Sequence, residues 1–593
     1  MKQLLTMLLI AVFISIPAYA QKDTVNVPDY YDVDEGTLNQ AVQDAIDGGT
    51  LNNTVFKLKQ YGLYVLSGTI EVPPGGILEI VGTKAGTIQE QAPPMIAWTV
   101  SSAPDKRYNF DIKGNVMMKD LWLLYADLAG AQVGSTLRVG DSSNTAGGIG
   151  GRAVFDNVIF DYSQITQNGS GAVEVYSTNF NGKFTNCYFR NCVDPHFRYY
   201  GRALSFRYDS NNLHSDSVYF ENCTFANMGY VYMQEKNEYA DNVHFNHCTF
   251  YNIVQFTLES GAWYKMSMTN SVFVNTQMFG AIPVNDGEGF GGTISITQFD
   301  SLGFDPTLFN SDFTDDYKRK ILFANNSYFI DQWLVDWMSE NPYSKDLHKN
   351  RRDDEIPVPH PMINGDTRAF FDSVDNDNNK VFPFMNMSSA YDNTDPGFIA
   401  PPLNMDSLKA FLYHKWAADA DVNWSYNVED DWQQIWPMKE NLAYTNSTLL
   451  TAGMGDFPLG DLYHWFPNEY ASWKAQENVE HNYITNWLET GDSITNGVTK
   501  VPGNLPGEYS LGQNYPNPFN PTTQIEYSIP ERGFVTLKVY DILGKEVATL
   551  FNGEQPSGKY KVNFNGIGLS SGVYLYELKA GNFTITKKLV LMK

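Results

Sequence analysis

The chain has 593 residues, enough for several domains, and sets Asp+Glu 67 against Lys+Arg 41, a formal net charge of −26. That surplus argues against nucleic acid or an anionic membrane surface as a partner, since both would be repelled. It accords with a soluble extracellular protein and with calcium binding.

Met1-Lys2 opens the chain, followed by an apolar run through Ile16 and then Ala18-Tyr19-Ala20. A positive start, a short hydrophobic segment and an Ala-x-Ala site predict a secretory signal peptide over 1–20, cleaved before Gln21. No later stretch has enough consecutive apolar residues to span a bilayer. Between Gly36 and Ile46, Leu38, Ala41, Val42 and Ala45 fall on one helical face, which predicts a short amphipathic helix capping the open end of a β-stack. Tyr64–Val72 and Ile77–Gly82 read as the first strands.

A template, Phe-x-Asn-x-x-Phe-x-Asn, then recurs. Phe220-Glu-Asn-Cys-Thr-Phe-Ala-Asn227 matches it fully, as does Phe184–Asn191; Phe245–Asn252 has His247 in the first Asn place, and Met268–Asn275 starts with Met. Phe155–Asp161 precedes these, and weaker echoes begin at Met118 and Phe323. The shortest spacings, 25 (245−220) and 23 (268−245), are those of one turn of a parallel β-solenoid. Phe at the first and sixth places makes short strands, and turns stacked about 4.8 Å apart would build a continuous Phe column. Asn tolerates the bent backbone between strands, and its amide is expected to bond the Asn one turn above. Cys187, Cys223 and Cys248 occupy one repeat position and read as a reduced, buried stack, with disulfides as the alternative.

This pattern resembles the right-handed parallel β-helix of the pectate-lyase-like superfamily, over roughly residues 30–340. The expected fold is all-β: a parallel β-helix over 21–340, an aromatic-rich extension over 341–492, a linker over 493–507 and a small antiparallel β-sandwich over 508–593. Polysaccharide lyases of that superfamily use acidic side chains to hold calcium and an Arg or Lys to remove the proton α to the sugar carboxylate. What the resemblance implies here is a charged group on loops between the repeats. Glu235 lies eight places past Asn227 and Glu259 seven past Asn252, so adjacent turns could bring these two expected Ca2+ ligands near Arg207 and Lys236, the expected bases. Arg202, Trp263 and Lys265 are the expected substrate contacts. His196, in the same loop as Arg202, reads as a hydrogen-bonding loop residue. No lyase signature matches residue by residue, and a non-catalytic surface adhesin or glycan-binding structural protein stands beside the enzyme reading.

Seven of the twelve Trp lie between Trp416 and Trp487. They are expected to be buried where the extension wraps the solenoid, with sugar stacking as the alternative. Asp375-Asn-Asp-Asn-Asn379 places oxygens at alternate positions yet lacks the Gly and terminal Glu of an EF-hand loop. Finally, Tyr515-Pro-Asn-Pro-Phe-Asn-Pro-Thr-Thr523, Val535–Gly544 and Ser571–Leu578 closely resemble the C-terminal sorting domain of the type IX secretion system. The resemblance implies the secretion machinery and a sorting peptidase as partners, and a destination outside the cell or on the outer-membrane surface.

Overall fold

The computed structural model describes residues 22–592 except 85–91, 99–107, 129–136, 141–150, 163–170, 194–200, 207–213, 235–238, 260–261, 279, 281–291, 298–314, 341–357, 418–435, 491–498, 502–505, 532, 556, 567–568 and 582. The expected signal segment lies outside them.

The fold is mostly β, and its larger part is built from parallel strands. The repeats beginning at Phe184, Phe220, Phe245 and Met268 each form two short strands hinged at the first Asn place, as in His214–Glu221 with Thr224–Met228 and Tyr239–Asn246 with Thr249–Ile253. Those at Met118, Phe155 and Phe323 lie within single strands, Asn115–Asp127, Arg152–Asp161 and Lys320–Phe329. Successive copies pair in parallel, setting Phe155, Phe184, Phe220, Phe245, Met268 and Phe323 in one line. Phe160, Phe189, Phe225, Phe250 and Phe273 form a second. Neighbouring rings within both lines stack face to face at 4.4–5.2 Å. A second parallel sheet has seven strands: Ile70–Val72, Phe110–Ile112, Leu137–Val139, Val173–Val175, Arg202–Phe206, Tyr230–Met233 and Leu258–Glu259. Inward side chains from the two parallel sheets make one continuous apolar core. The helix Thr37–Asp47 caps it, inserting Leu38, Val42 and Ala45. Stacking continues past the expected end at 340, because Met385–Asp392 pairs in parallel with Lys320–Phe329.

The two Asn places hold the bends. Asn157, Asn186, Asn222, Asn270 and Asn325, with Asp120 and His247 in equivalent places, have φ between +50° and +56°; Asn191, Asn227, Asn252 and Asn275 have φ between +53° and +59°. Asn is the non-glycine residue that occupies this left-handed region most readily. All four cysteines are buried free thiols; Cys187, Cys223 and Cys248 donate to main-chain oxygens of the preceding turns at 3.4–3.7 Å.

The amides of the two columns have different partners. In the second column Asn252 donates to Asn227 at 3.2 Å and Asn275 to Asn252 at 3.1 Å, the ladder expected. At its start the first column keeps an in-column bond, Asn157 donating to Asp120 at 2.6 Å, but its later turns depart from that expectation by bonding the extension. Asn222 accepts from the Leu462 N–H, Asn270 from the Met454 N–H, and Asn325 donates to the Ala452 carbonyl. His247 Nδ1 lies 3.3 Å from the Gly460 carbonyl. From Ala452 to Leu462 the extension therefore runs backwards along the stack, and together with its flanks it buries Leu442, Leu449, Leu462, Trp465 and Trp473 against Trp122, Ile159, Tyr188 and Tyr251. The helix Glu477–Thr490 returns over Leu322 and Ala324 with Ile484, Trp487 and Leu488. Arg190 ties the layers together, ion-paired to Asp161 at 3.0 Å and to Glu440. Burial acts against its charge, yet the two carboxylates hold its pKa above the ordinary Arg value.

Two four-stranded antiparallel sheets form the C-terminal domain. Its core includes Ile525, Leu537, Val562, Tyr576 and Leu589. Thr499–Val501, expected to be linker, pairs with Lys559–Lys561 as an edge strand. Glu546–Gln555 is a strand beyond those the sequence signalled.

Candidate functional site

The seven-stranded sheet carries the polar chemistry. Its strands are two to five residues long and alternate, so Ile70, Ile112, Val139, Val175 and Phe206 point into the core while the residues between them form a row. In register that row reads Glu71, Asp111, Arg138, Glu174, Ser205, Met233 and Glu259. Stacking parallel strands at one spacing brings these positions into a line although they are far apart in sequence.

Arg138 is the centre of the described part. It grips Asp111 through both ends of its guanidinium, Nε to Oδ1 at 2.8 Å and Nη2 to Oδ2. Its guanidinium carbon sits 4.3 Å from the Tyr108 ring centroid and 5.1 Å from that of Tyr176, whose hydroxyls meet at 3.3 Å. Burial disfavours the charged guanidinium, but the Asp111 carboxylate outweighs it and raises the Arg138 pKa. A guanidinium held this firmly clamps anionic or hydroxylated groups; it does not accept protons. Glu174 and Ser205 are fully buried, whereas Arg138 is partly open and Glu71 exposed, so the row is reached from its Glu71–Arg138 end.

The residues singled out from sequence fall into three groups. Arg202 begins the strand Arg202–Phe206; it is buried, donates to Ser205 Oγ at 3.3 Å and lies 5.5 Å over the Tyr230 ring. Glu259 joins the row by its strand register with Met233. Arg207, Glu235, Lys236 and His196 lie outside the described residues. Trp263 and Lys265 are on the other, larger sheet, in the strand Trp263–Thr269. Trp263 corrects the expectation: it is 0% exposed within the apolar core and presents no ring face to a ligand in solvent. Strict alternation would place it outside with Lys265, but alternation fails at the start of these strands, as at the Phe180/Asn181 bulge.

Sequence reading missed Asp111, Arg138 and Glu174, because their strands are three residues long and carry no repeat template. The signal available was the register count, since each lies midway in a β-branched or apolar triplet. Two His–carboxylate groups were also missed. His214 Nε2 lies 2.9 Å from Asp241 and 3.7 Å from Asp216; His481, Glu221 and Glu477 converge beneath the extension. The Asp375 carboxylate accepts from the backbone N–H groups of Asp377 and Asn379, so it stabilises its own turn.

Residues 513–592 match the secretion system C-terminal sorting domain. No curated protein and no solved structure matches the chain. The sorting domain marks the chain for export by the type IX system, to the cell surface or the medium, and implies contact with that secretion machinery. No helix among the described residues is long and apolar enough to cross a membrane.

Proposed function

We propose that this is a type IX-exported passenger whose stacked body is a right-handed parallel β-helix of the pectate-lyase-like kind, engaging a polysaccharide along its seven-stranded sheet. The carrying observation is the aligned row Glu71–Asp111–Arg138–Glu174 with Tyr108 and Tyr176 beside it. Fixed charges on a rigid sheet are what sugar recognition uses, with the two tyrosines holding Arg138 in place, and a regular strand spacing suits a repeating ligand. In this reading residues 1–20 are a signal peptide, 21–340 with the strand Met385–Asp392 form the helix, and a sorting peptidase removes the tail.

The lyase form of the proposal assigns proton abstraction to Arg207 or Lys236 and Ca2+ to Glu235 and Glu259, with Arg202 as a substrate contact. The alternative is non-catalytic glycan binding by a surface adhesin, and the held cation of Arg138 favours binding at the described end of the row. One experiment separates the two forms. The full chain is incubated with pectin, alginate and glycosaminoglycans, with calcium and with chelator, while unsaturated uronate absorbance and retention on immobilised glycan are followed. Calcium-dependent absorbance lost in Arg207→Ala and Glu235→Ala establishes the lyase. Retention without absorbance, lost in Arg138→Ala, establishes binding. Neither signal from any of these glycans overturns the polysaccharide reading.

A further inference from the structure

A second group of convergent side chains lies on the larger sheet, where His214, Asp216 and Asp241 bring one ligand atom each within 4.8 Å of one another. The strands His214–Glu221 and Tyr239–Asn246 belong to adjacent turns, and the pairs Ser215↔Ala240 and Val218↔Val243 flank the two aspartates. Asp216 and Asp241 therefore occupy the same place on successive turns, one carboxylate beside the other. Like charges set directly opposite each other destabilise a sheet unless a cation offsets them. Lys265, on the next turn, offsets part of this charge from a distance. The three side chains are 15%, 43% and 24% exposed in the order His214, Asp216, Asp241, so the group is open to solutes.

The imidazole is held for one role. His214 Nδ1 lies 2.9 Å from Asn179 Oδ1, and the ring stacks on Tyr239 at 4.5 Å. An amide oxygen only accepts, so Nδ1 carries the proton and Nε2 is the nitrogen turned toward the carboxylates. Nε2 stands 2.9 Å from Asp241 Oδ1 and 3.7 Å from Asp216 Oδ1. Asn181 donates to the other oxygen of Asp216, Oδ2, at 3.2 Å and so fixes the carboxylate with Oδ1 toward the imidazole. The His481 group is different: there Glu221 Oε1 already accepts from Tyr219 at 2.7 Å and from Asn246 at 3.2 Å, and it meets His481 at 2.5 Å. That carboxylate is satisfied by protein donors, whereas the facing oxygens of Asp216 and Asp241 share a single imidazole nitrogen.

We infer that His214, Asp216 and Asp241 bind a divalent transition-metal ion of the Zn2+ or Mn2+ kind, which clips one turn of the stack to the next. Two ligands each about 2.1 Å from an ion stand about 3.0 Å apart at a right angle and about 3.6 Å apart at 120°. The separations of 2.9 Å and 3.7 Å around Nε2 match that spacing. One imidazole with two carboxylates selects such an ion over Ca2+, whose sites are built from about six to eight oxygens. Asn179 is the outer partner that a ligating imidazole needs on its second nitrogen. The exposed sides of the three residues leave further coordination positions to water. The site shares no residue with the Ca2+ ligands proposed at Glu235 and Glu259, and it does not rest on the polysaccharide reading.

The test is calorimetric titration of the untagged full chain, first stripped with chelator, with Zn2+ and with Mn2+, and with Ca2+ as the oxygen-seeking comparison. Saturable binding of at least one of the two transition ions, tighter than Ca2+, is expected. His214→Gln removes the imidazole and Asp241→Asn one charge; each should weaken binding by roughly tenfold or more. Asp216→Asn, at the most exposed of the three, should do the same while leaving the unfolding midpoint in chelator unchanged. Because the ion joins two turns, adding it should raise the unfolding midpoint of the parent and not that of His214→Gln. His481→Gln should bind as the parent does. Absence of saturable binding by both transition ions overturns the inference. So does parental affinity in both His214→Gln and Asp241→Asn, binding lost only in His481→Gln, or tighter binding of Ca2+ than of either transition ion.

Discussion

The two outer faces of the stack are made from the same kind of parallel strand and finished in opposite ways. Over the Phe repeats, the outward side chains Trp122, Ile159, Tyr188, Tyr251 and Val274 are apolar, and the extension covers them. Over the seven-stranded sheet the row from Glu71 through Asp111, Arg138 and Glu174 to Ser205 is ionisable or polar, with Met233 following. An apolar outer row needs a partner layer to keep it from water, whereas a charged row needs pairing within itself, as Arg138 finds in Asp111. What faces outward on each strand therefore decides whether a face becomes interior or remains available for recognition.

Four perturbations break or sharpen that contrast. The largest concerns the core that both faces share. Phe220→Ala removes a ring stacked at 4.6 Å and 4.8 Å between Phe184 and Phe245; a loss of about 3–5 kcal/mol in denaturant-induced unfolding is expected. A loss below about 1 kcal/mol would place Phe220 outside the core.

The covered face should next show a pH dependence set by one ion pair. Burial alone would raise the Glu221 pKa, but the His481 charge at 2.5 Å, Tyr219 and Asn246 outweigh it and hold it at about 2. Burial would likewise lower His481, and Glu221 raises it instead. Because the Glu221 pKa is depressed below 4.5, its contribution is present above pH 4.5 and is lost as pH falls toward 2. The His481 pKa is raised above 6.5, so its contribution is complete below pH 6.5 and is lost as pH rises through the folded value. The docking of Glu477–Thr490 should be firmest between these limits, and Glu221→Gln should flatten the melting-temperature profile at both ends. A profile identical to the parent would show that the pair does not hold the helix.

A smaller effect separates backbone from amide. Asn222→Gly keeps a positive φ and loses the bond to Leu462, about 1 kcal/mol. Asn222→Ala adds the cost of the left-handed backbone, roughly 1–2 kcal/mol more. Equal losses in the two variants, read from urea midpoints, would remove the conformational argument. The smallest effect is on the charged face: the exposed Glu71 replaced by Gln should shift stability by less than about 0.5 kcal/mol, while glycan retention changes if the row binds.

Much of the fold was legible because the repeat is local. Each Phe-x-Asn-x-x-Phe-x-Asn unit encodes its own strand, bend and strand, and the shared template puts Phe184 on Phe220 on Phe245 although the connecting loops differ in length. The helix over Thr37–Asp47 was legible for the same reason. The amide partners of Asn222 and Asn270 were not, since Leu462 and Met454 lie 240 and 184 residues away and no local pattern names them. Trp263 misled because its neighbours, Lys265 and a run of polar loop residues, suggested an outward strand, and a break in alternation at the strand start is invisible in composition. Asp111, Arg138 and Glu174 escaped notice because they come one per turn, each set between two apolar residues that read only as core.

The path of the extension has a consequence for how the molecule comes apart. A stack in which each turn touches only its neighbours can fray from either end, one turn at a time. Here the segment from Ala452 to Tyr463 bonds the bends at Asn325, Asn270 and Asn222, and Tyr463 then meets Lys84 beside Asp120. The return helix is bonded again at Glu221 and Asn246. Loss of a terminal turn therefore strips contacts from turns far from the end, so unzipping is replaced by a single cooperative transition across the braced turns. For an exported protein this is resistance to proteolysis, because a protease requires partial opening and the brace raises the free energy of every partly opened state.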